Sequence, residues 1–149
     1  MVFSEILGAE LQTKDGVKPT EELLAGKKYV GIYFSAHWCP PCRAFTPVLS
    51  DAYKSFVEEG HNDVAIVFLS WDEEEAGFNE YYEQMPFYAV PFARRDIKEV
   101  LTEEKYGVKS IPTLIWLNTN GEVVTKGGRN LVVDARGKPD RILEALAKF

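Results

Sequence analysis

Cysteine is scarce. The 149-residue chain has two, Cys39 and Cys42. That excludes the framework of several bridges that staples small folds without a core. The single intrachain bridge available closes a loop of a few residues, so its entropic contribution to stability is minimal. Long apolar runs are missing too, and none approaches the ~20 residues of a membrane span. Nor is there an excess of basic charge: Lys+Arg number 17 against 23 Asp+Glu, for a formal net charge of -6 and a pI near 5.0. Nucleic-acid binding needs clustered Lys and Arg, so this balance argues against it. It also disfavours docking on an anionic membrane surface. The opening residues, Met1-Val2-Phe3-Ser4-Glu5, lack the basic and apolar regions of a secretory signal. The expectation is a soluble, cytoplasmic monomer with no nucleic-acid or membrane partner.

What is present is an ordinary globular composition, 46% hydrophobic and 27% charged. The length fits one domain over residues 1–149, since domains usually run about 100–200 residues. Residues 1–25 read as turn-rich, with a hairpin over Leu11–Lys18 around Asp15-Gly16. Tyr29–Phe34 and Val64–Leu69 are near-continuous apolar runs that suit buried strands. Between them, Phe45, Leu49, Ala52, Tyr53 and Phe56 recur at helical spacing from Pro41 to about Glu59. Pro47 falls inside that helix and removes its bond to the Arg43 carbonyl. Asp72–Gln84 reads as a helix with Asp72 and Glu75 as a capping box. Met85–Phe92 reads as irregular, and Asp96–Tyr106 as a helix closed by Gly107. Thr113–Leu117 and Glu122–Thr125 pair as a hairpin, Gly127-Gly128 opens a loop, and Pro139 starts a last helix. Strand–helix–strand units followed by a closing hairpin predict an α/β fold. Its mixed β-sheet is flanked by helices on both faces and carries an N-terminal hairpin extension.

The chemistry centres on Trp38-Cys39-Pro40-Pro41-Cys42-Arg43, at the end of a strand and the start of a helix. A thiol there faces unpaired backbone N–H groups and the positive end of the helix dipole, both of which favour the thiolate. Cys39 is therefore expected as the exposed, attacking sulfur. Cys42, one turn on, is the more buried sulfur that resolves a mixed disulfide. Half of a zinc site is the competing reading. Zinc wants four ligands, and the remaining candidates, His37 and His61, lie far apart in the sequence. No metal is expected, and no cofactor beyond a redox-active Cys39–Cys42 disulfide.

With Ser110-Ile111-Pro112-Thr113 before a strand, the chain resembles the thioredoxin-fold oxidoreductases. Within them it is most similar to the tryparedoxins. The similarity rests on the Cys motif, on Leu69-Ser70-Trp71-Asp72-Glu73-Glu74-Glu75 and on Met85-Pro86-Phe87-Tyr88-Ala89-Val90-Pro91-Phe92, over about Leu23–Val133. Nucleoredoxins share these segments, but they usually string modules together, and the short chain favours tryparedoxin. The resemblance implies electron transfer from trypanothione, a dithiol of two glutathiones and spermidine. The implied acceptors are peroxiredoxin, glutathione-peroxidase-like peroxidases and ribonucleotide reductase. It implies a cis Ile111–Pro112 bond facing the disulfide, with Trp38, Pro40, Pro41, Ile111 and Pro112 shaping the substrate surface. Trp71 would form an apolar wall, and Glu73, or less favourably Asp72, would attract the spermidine amine. Arg129 would take a glycyl carboxylate. Where thioredoxin has a buried Asp below the Cys pair, this chain has Tyr33, so any acid serving Cys42 comes from elsewhere, with Asp72 and Glu73 as candidates. A nucleoredoxin-like, redox-dependent binding module is the alternative.

Overall fold

A computed structural model describes residues 2–149. Its centre is built by three strands: β3 (Tyr29–Ser35), β4 (Val64–Ser70) and β6 (Thr113–Asn118). Each alternates large apolar side chains to both faces. Tyr29, Tyr33, Ile66, Phe68, Leu114 and Trp116 pack into one core with α3 (Pro40–Glu58), α4 (Glu75–Tyr82), α6 (Gly128–Asp134) and α7 (Pro139–Ala147). Val30, Ile32, Phe34, Val67, Leu69, Ile115 and Leu117 point the other way. They meet α1 (Val2–Leu7), α2 (Thr20–Leu24) and α5 (Arg95–Glu99). Two-residue alternation with both faces covered makes a three-layer α/β sandwich. Gly31 is small for a reason: a Cβ there would meet Leu114 and the Trp116 ring at 3.1 Å.

The sheet is completed by β1 (Glu10–Thr13), β2 (Gly16–Pro19), β5 (Tyr88–Ala89) and β7 (Val123–Thr125), in the order β2-β1-β5-β4-β3-β6-β7. β3 runs parallel to β4 and antiparallel to β6, and Ser35 stands opposite Ser70 while Phe34 stands opposite Thr113. The segments after β3 and β4 and the segment before β6 therefore meet at one sheet edge.

The N-terminal hairpin is present, but two short helices, α1 and α2, flank it where only turns are expected. Met85–Phe92 is not wholly irregular, because Tyr88–Ala89 pairs with β4 on one side and β1 on the other. The helix after β4 begins at Glu75, not Asp72. Gly127-Gly128 opens a helix, not a loop. Arg95–Glu99 passes into a π-helical stretch, Val100–Lys105. Among the described residues, no helix is long and apolar enough to cross a membrane.

Candidate functional site

Cys39 is the N-cap of α3, with Pro40 and Pro41 in the first turn, where missing N–H groups cost nothing. It is bridged to Cys42 across a Cα–Cα distance of 5.2 Å. The Cys42 N–H, the first amide of the helix after two prolines that have none, donates to Cys39 Sγ at 3.3 Å. The burial differs from expectation. Cys39 is 5% exposed and Cys42 0%, so the order holds but Cys39 sits beneath the surface. Trp71 and Ile111 pack against the two cysteines and Ala36 and enclose them. The Ile111–Pro112 peptide is cis, and the Ile111 carbonyl oxygen lies 3.8 Å from Cys39 Sγ. Pro112 is buried, whereas Pro40 and Pro41 are exposed.

Trp38 is 57% exposed, and its indole N–H donates to the Trp71 carbonyl at 3.3 Å. Trp71 is held from the opposite side, its own indole donating to Thr102 Oγ1 at 3.2 Å from the π-helical stretch.

Asp72 caps no helix. It is buried, and its carboxylate accepts from the His37 N–H at 2.9 Å and the Ser70 hydroxyl at 2.7 Å. It thereby ties the loop after β4 to the loop that carries Trp38 and Cys39. Two nearby donors inside the folded loop outcompeted the solvent-facing helix start that the capping pattern suggested. Arg95 clamps the same loop, donating to the Ser70 carbonyl at 2.9 Å and the Phe92 carbonyl at 2.7 Å. Burial lowers the Arg95 pKa, and the Asp72 charge opposes that shift.

Glu73 is exposed and lines two cavities. One, of about 300 Å³, is shared with His37, Trp38, Arg43 and Gly77. The other, of about 550 Å³, runs along Trp38 and Trp71 to Arg95, Lys98, Glu99 and Glu103. Arg129 is exposed on the first turn of α6, and among the described residues no hydrogen bond or ion pair joins it to the site. Gly128 beside it approaches the Leu114 carbonyl, two residues past Pro112; a Cβ there would lie 2.5 Å away.

Beneath the disulfide, sequence reasoning missed a set of partners. Tyr33 does fill the slot below Cys42, and burial pushes its phenol pKa up. Its hydroxyl meets Thr46 Oγ1 at 2.6 Å, Thr46 meets Tyr81, and Tyr81 meets Ser35 Oγ at 2.8 Å. Among the described residues, no carboxylate belongs to this set. Thr46 lies four residues after Cys42, one helical turn on, which is a signal the sequence does contain. Tyr81 is brought in from α4, and His37 stacks on its ring at 5.4 Å. Apart from this region, Glu59, His61 and Asp140 bring ligand atoms within 4.8 Å of one another at the far end of α3. The neighbouring cavity there also presents Arg136, Lys138 and Arg141.

Residues 26–123 match the family model described as thioredoxin-like. Human nucleoredoxin is 42% identical over 127 residues, which is 85% of this chain and 28% of that protein. The chain spans 28–32% of the length of the curated relatives it matches first. The native tryparedoxin I of Crithidia fasciculata superimposes with a TM-score of 0.84 at 39% identity, covering 93% of this chain and 95% of that one. A tryparedoxin II complexed with glutathionylspermidine gives 0.77 at 40% identity, with 85% of each chain covered. With a cysteine pair at the head of α3 and a fold shared over nearly its whole length, the chain belongs to the thioredoxin-like family, as a thiol–disulfide oxidoreductase related to the tryparedoxins and nucleoredoxins.

Proposed function

We propose that the protein is a cytoplasmic, monomeric, single-domain electron carrier of tryparedoxin type. It takes electrons from trypanothione and passes them to peroxiredoxin, glutathione-peroxidase-like peroxidases and ribonucleotide reductase. In the reductive half, a donor thiolate attacks Cys39 Sγ of the disulfide and Cys42 leaves as a thiolate. The donor's second thiol then displaces Cys39 and leaves as the donor disulfide. In the oxidative half, Cys39 attacks the acceptor disulfide and Cys42 resolves the mixed disulfide, releasing a dithiol. Two electrons move in each half.

The observation that carries this reading is the cavity along Trp38 and Trp71, the second of which packs on Cys39; Glu73, Glu99 and Glu103 line it together with Arg95 and Lys98. An aromatic wall with exposed carboxylates suits a thiol that carries an ammonium group. The tryparedoxin II described with glutathionylspermidine supports a ligand of that class. Glu73 takes the amine; Asp72, committed to His37 and Ser70, does not. Arg129, on the helix that abuts the Pro112 strand, takes the glycyl carboxylate, and Ile111, Pro112, Pro40 and Pro41 form the surface for the peptide-like part.

The test is the rate of reduction of the disulfide form by trypanothione, by glutathione and by thioredoxin reductase. Trypanothione is expected to be fastest, and parity with glutathione overturns the donor assignment. Glu73→Gln should lower the trypanothione rate a few-fold, as an exposed ion pair contributes roughly 0.2–1 kcal/mol. The loss should shrink in high salt and be absent for Glu83→Gln. Cys39→Ser should abolish exchange, and Cys42→Ser should trap acceptors as mixed disulfides.

One observation favours a second reading, a nucleoredoxin-like module that holds partners in a redox-dependent way: the chain matches 28% of human nucleoredoxin at 42% identity. Sustained peroxide reduction in a coupled assay with trypanothione and a peroxidase supports the carrier. Stoichiometric capture of a partner without turnover supports the module.

A further inference from the structure

Four buried hydroxyls lie in a row beneath the cysteine pair, and donor recognition uses none of them. Ser35 Oγ is 2.8 Å from the Tyr81 hydroxyl, which is 2.5 Å from Thr46 Oγ1, which is 2.6 Å from the Tyr33 hydroxyl. The Tyr33 hydroxyl lies 3.5 Å from the Cys42 carbonyl oxygen. All four residues are almost wholly enclosed. Each hydroxyl has one proton to give. A carbonyl has none, so Tyr33 donates to Cys42. In each hydroxyl pair either oxygen can be the donor; with the Tyr33 proton on the carbonyl, Thr46 donates to Tyr33, Tyr81 to Thr46, and Ser35 to Tyr81. In that arrangement the row runs one way and ends on the backbone of Cys42.

It ends where α3 lacks part of its own ladder. Pro47 has no N–H, so the Arg43 carbonyl has no partner four residues on. One residue earlier, the Cys42 carbonyl receives Tyr33 from outside the helix. The first turn of α3 is thus braced from β3 and α4 next to its interruption. Cys42 must hold its place while its sulfur alternates between thiol and disulfide.

The geometry points to Tyr33, Thr46 and Tyr81 as positioning residues for the second half of exchange, the attack of Cys42 on a mixed disulfide at Cys39. They act through the Cys42 carbonyl, not on the sulfurs. This rests on the roles proposed above for the two cysteines and is independent of the donor.

The probe is an aryl disulfide, dithiobis(nitrobenzoate), mixed with the reduced protein in a stopped-flow absorbance experiment. The Cys39 thiolate attacks it, forms a mixed disulfide and releases one aryl thiolate. Cys42 gives its proton to solvent, attacks Cys39 Sγ and releases the second. Two electrons pass from the dithiol to the reagent, in two observable phases. Tyr33→Phe and Thr46→Val should slow the second phase about tenfold, the effect of orphaning one buried donor, and leave the first within about twofold. Thr46→Ser keeps the hydroxyl and should restore the second phase. Ser35→Ala removes the first donor without orphaning a proton, so its loss should be smaller, about two- to threefold. Tyr53→Phe, a hydroxyl deletion on α3 outside the chain, should change neither phase. Equal slowing of both phases, or no slowing, by Tyr33→Phe overturns the assignment. So does a Thr46→Ser variant as slow as Thr46→Val. Ser35→Ala as damaging as Tyr33→Phe overturns the direction of the chain. If Thr46→Val does not fold, Tyr33→Phe decides by the same ratio of phases. The reagent carries no polyamine, so a failure of trypanothione recognition leaves both phases unchanged.

Discussion

Removing the Asp72 carboxylate measures how firmly the two active-site loops are tied together. The carboxylate accepts one bond from the His37 N–H at 2.9 Å and one from the Ser70 hydroxyl at 2.7 Å, and it is buried. Hydrogen bonds to charged groups contribute about 1.5–3 kcal/mol each, and an orphaned buried donor costs about 1–3 kcal/mol. In Asp72→Ala the Ser70 hydroxyl can turn to another acceptor, but the His37 N–H is fixed by the backbone. Arg95 also loses the charge that offsets its burial. These effects overlap, so the expected loss is about 3 kcal/mol, not their sum. Asp72→Asn retains one acceptor oxygen for His37 and can donate to Ser70 Oγ, so about 1 kcal/mol is expected. Urea unfolding of the oxidised protein is the assay. With a slope of about 1–3 kcal/mol/M, the Ala variant should lower the midpoint by at least about 1 M. An Ala variant within about 0.5 kcal/mol of the parent would refute the reasoning, since that is the range of an ordinary surface change. An Asn variant as damaging as Ala would show that charge toward Arg95, not hydrogen bonding between the loops, is what matters.

Gly128→Ala places a Cβ 2.5 Å from the Leu114 carbonyl oxygen and 2.8 Å from the Trp116 ring, so α6 must move off β6. Overpacking of about 1–3 kcal/mol exceeds the gain of up to about 1 kcal/mol in helix propensity, and thermal unfolding should show a net loss. Gly127→Ala, whose Cβ meets Thr125 Oγ1 at 3.5 Å, should be near neutral; equal stability of the two variants would contradict the close approach. Burial raises the phenols of Tyr53 and Tyr106 to about 12 and pushes Tyr33 and Tyr82 up as well. The folded state holds these protons more tightly than the unfolded chain. The stability this brings is complete below about pH 10 and is lost as the pH rises through about 12. Phenolate absorbance should therefore rise steeply together with loss of circular dichroism; smooth ionisation of all seven tyrosines with the fold intact would contradict the burial.

Much of the fold was legible because β3, β4 and β6 are buried on both faces and read as continuous apolar runs. The elements that escaped are short: six residues in α1, five in α2, two in β5 and seven in α6. None is long enough to develop a period, and each is stabilised by what it packs on. Gly127-Gly128 has loop-forming composition, yet the second glycine lets a helix approach the Leu114 carbonyl. Asp72 and Glu75 have the spacing of a capping box, but Ser70 and His37 are better partners for a buried carboxylate.

The site was legible in its parts because strand ends can be read locally, and its assembly depends on register. Ser35 stands opposite Ser70 and Phe34 opposite Thr113, so Trp38-Cys39, Trp71-Glu73 and Ile111-Pro112 converge although they are scattered over the sequence. A slip of one residue would turn every side chain of a strand to the other face. The same parity explains the hydroxyl chain. Tyr33 and Ser35 are two residues apart and share a face of β3, the face covered by α3 and α4. The substitution of Tyr33 for an acid is visible in the sequence alone. The partners that make it useful are not, because Thr46 and Tyr81 reach it from two helices, 13 residues away in one case and by way of Thr46 in the other. An ionised carboxylate in this position could only accept, so the Cys42 carbonyl would keep its helical partner alone, the Thr46 N–H. A phenol can also donate, and the Tyr33 hydroxyl stands 3.5 Å from that carbonyl. On the proposal above, tyrosine acts on Cys42 through its backbone, where a carboxylate would act through its charge.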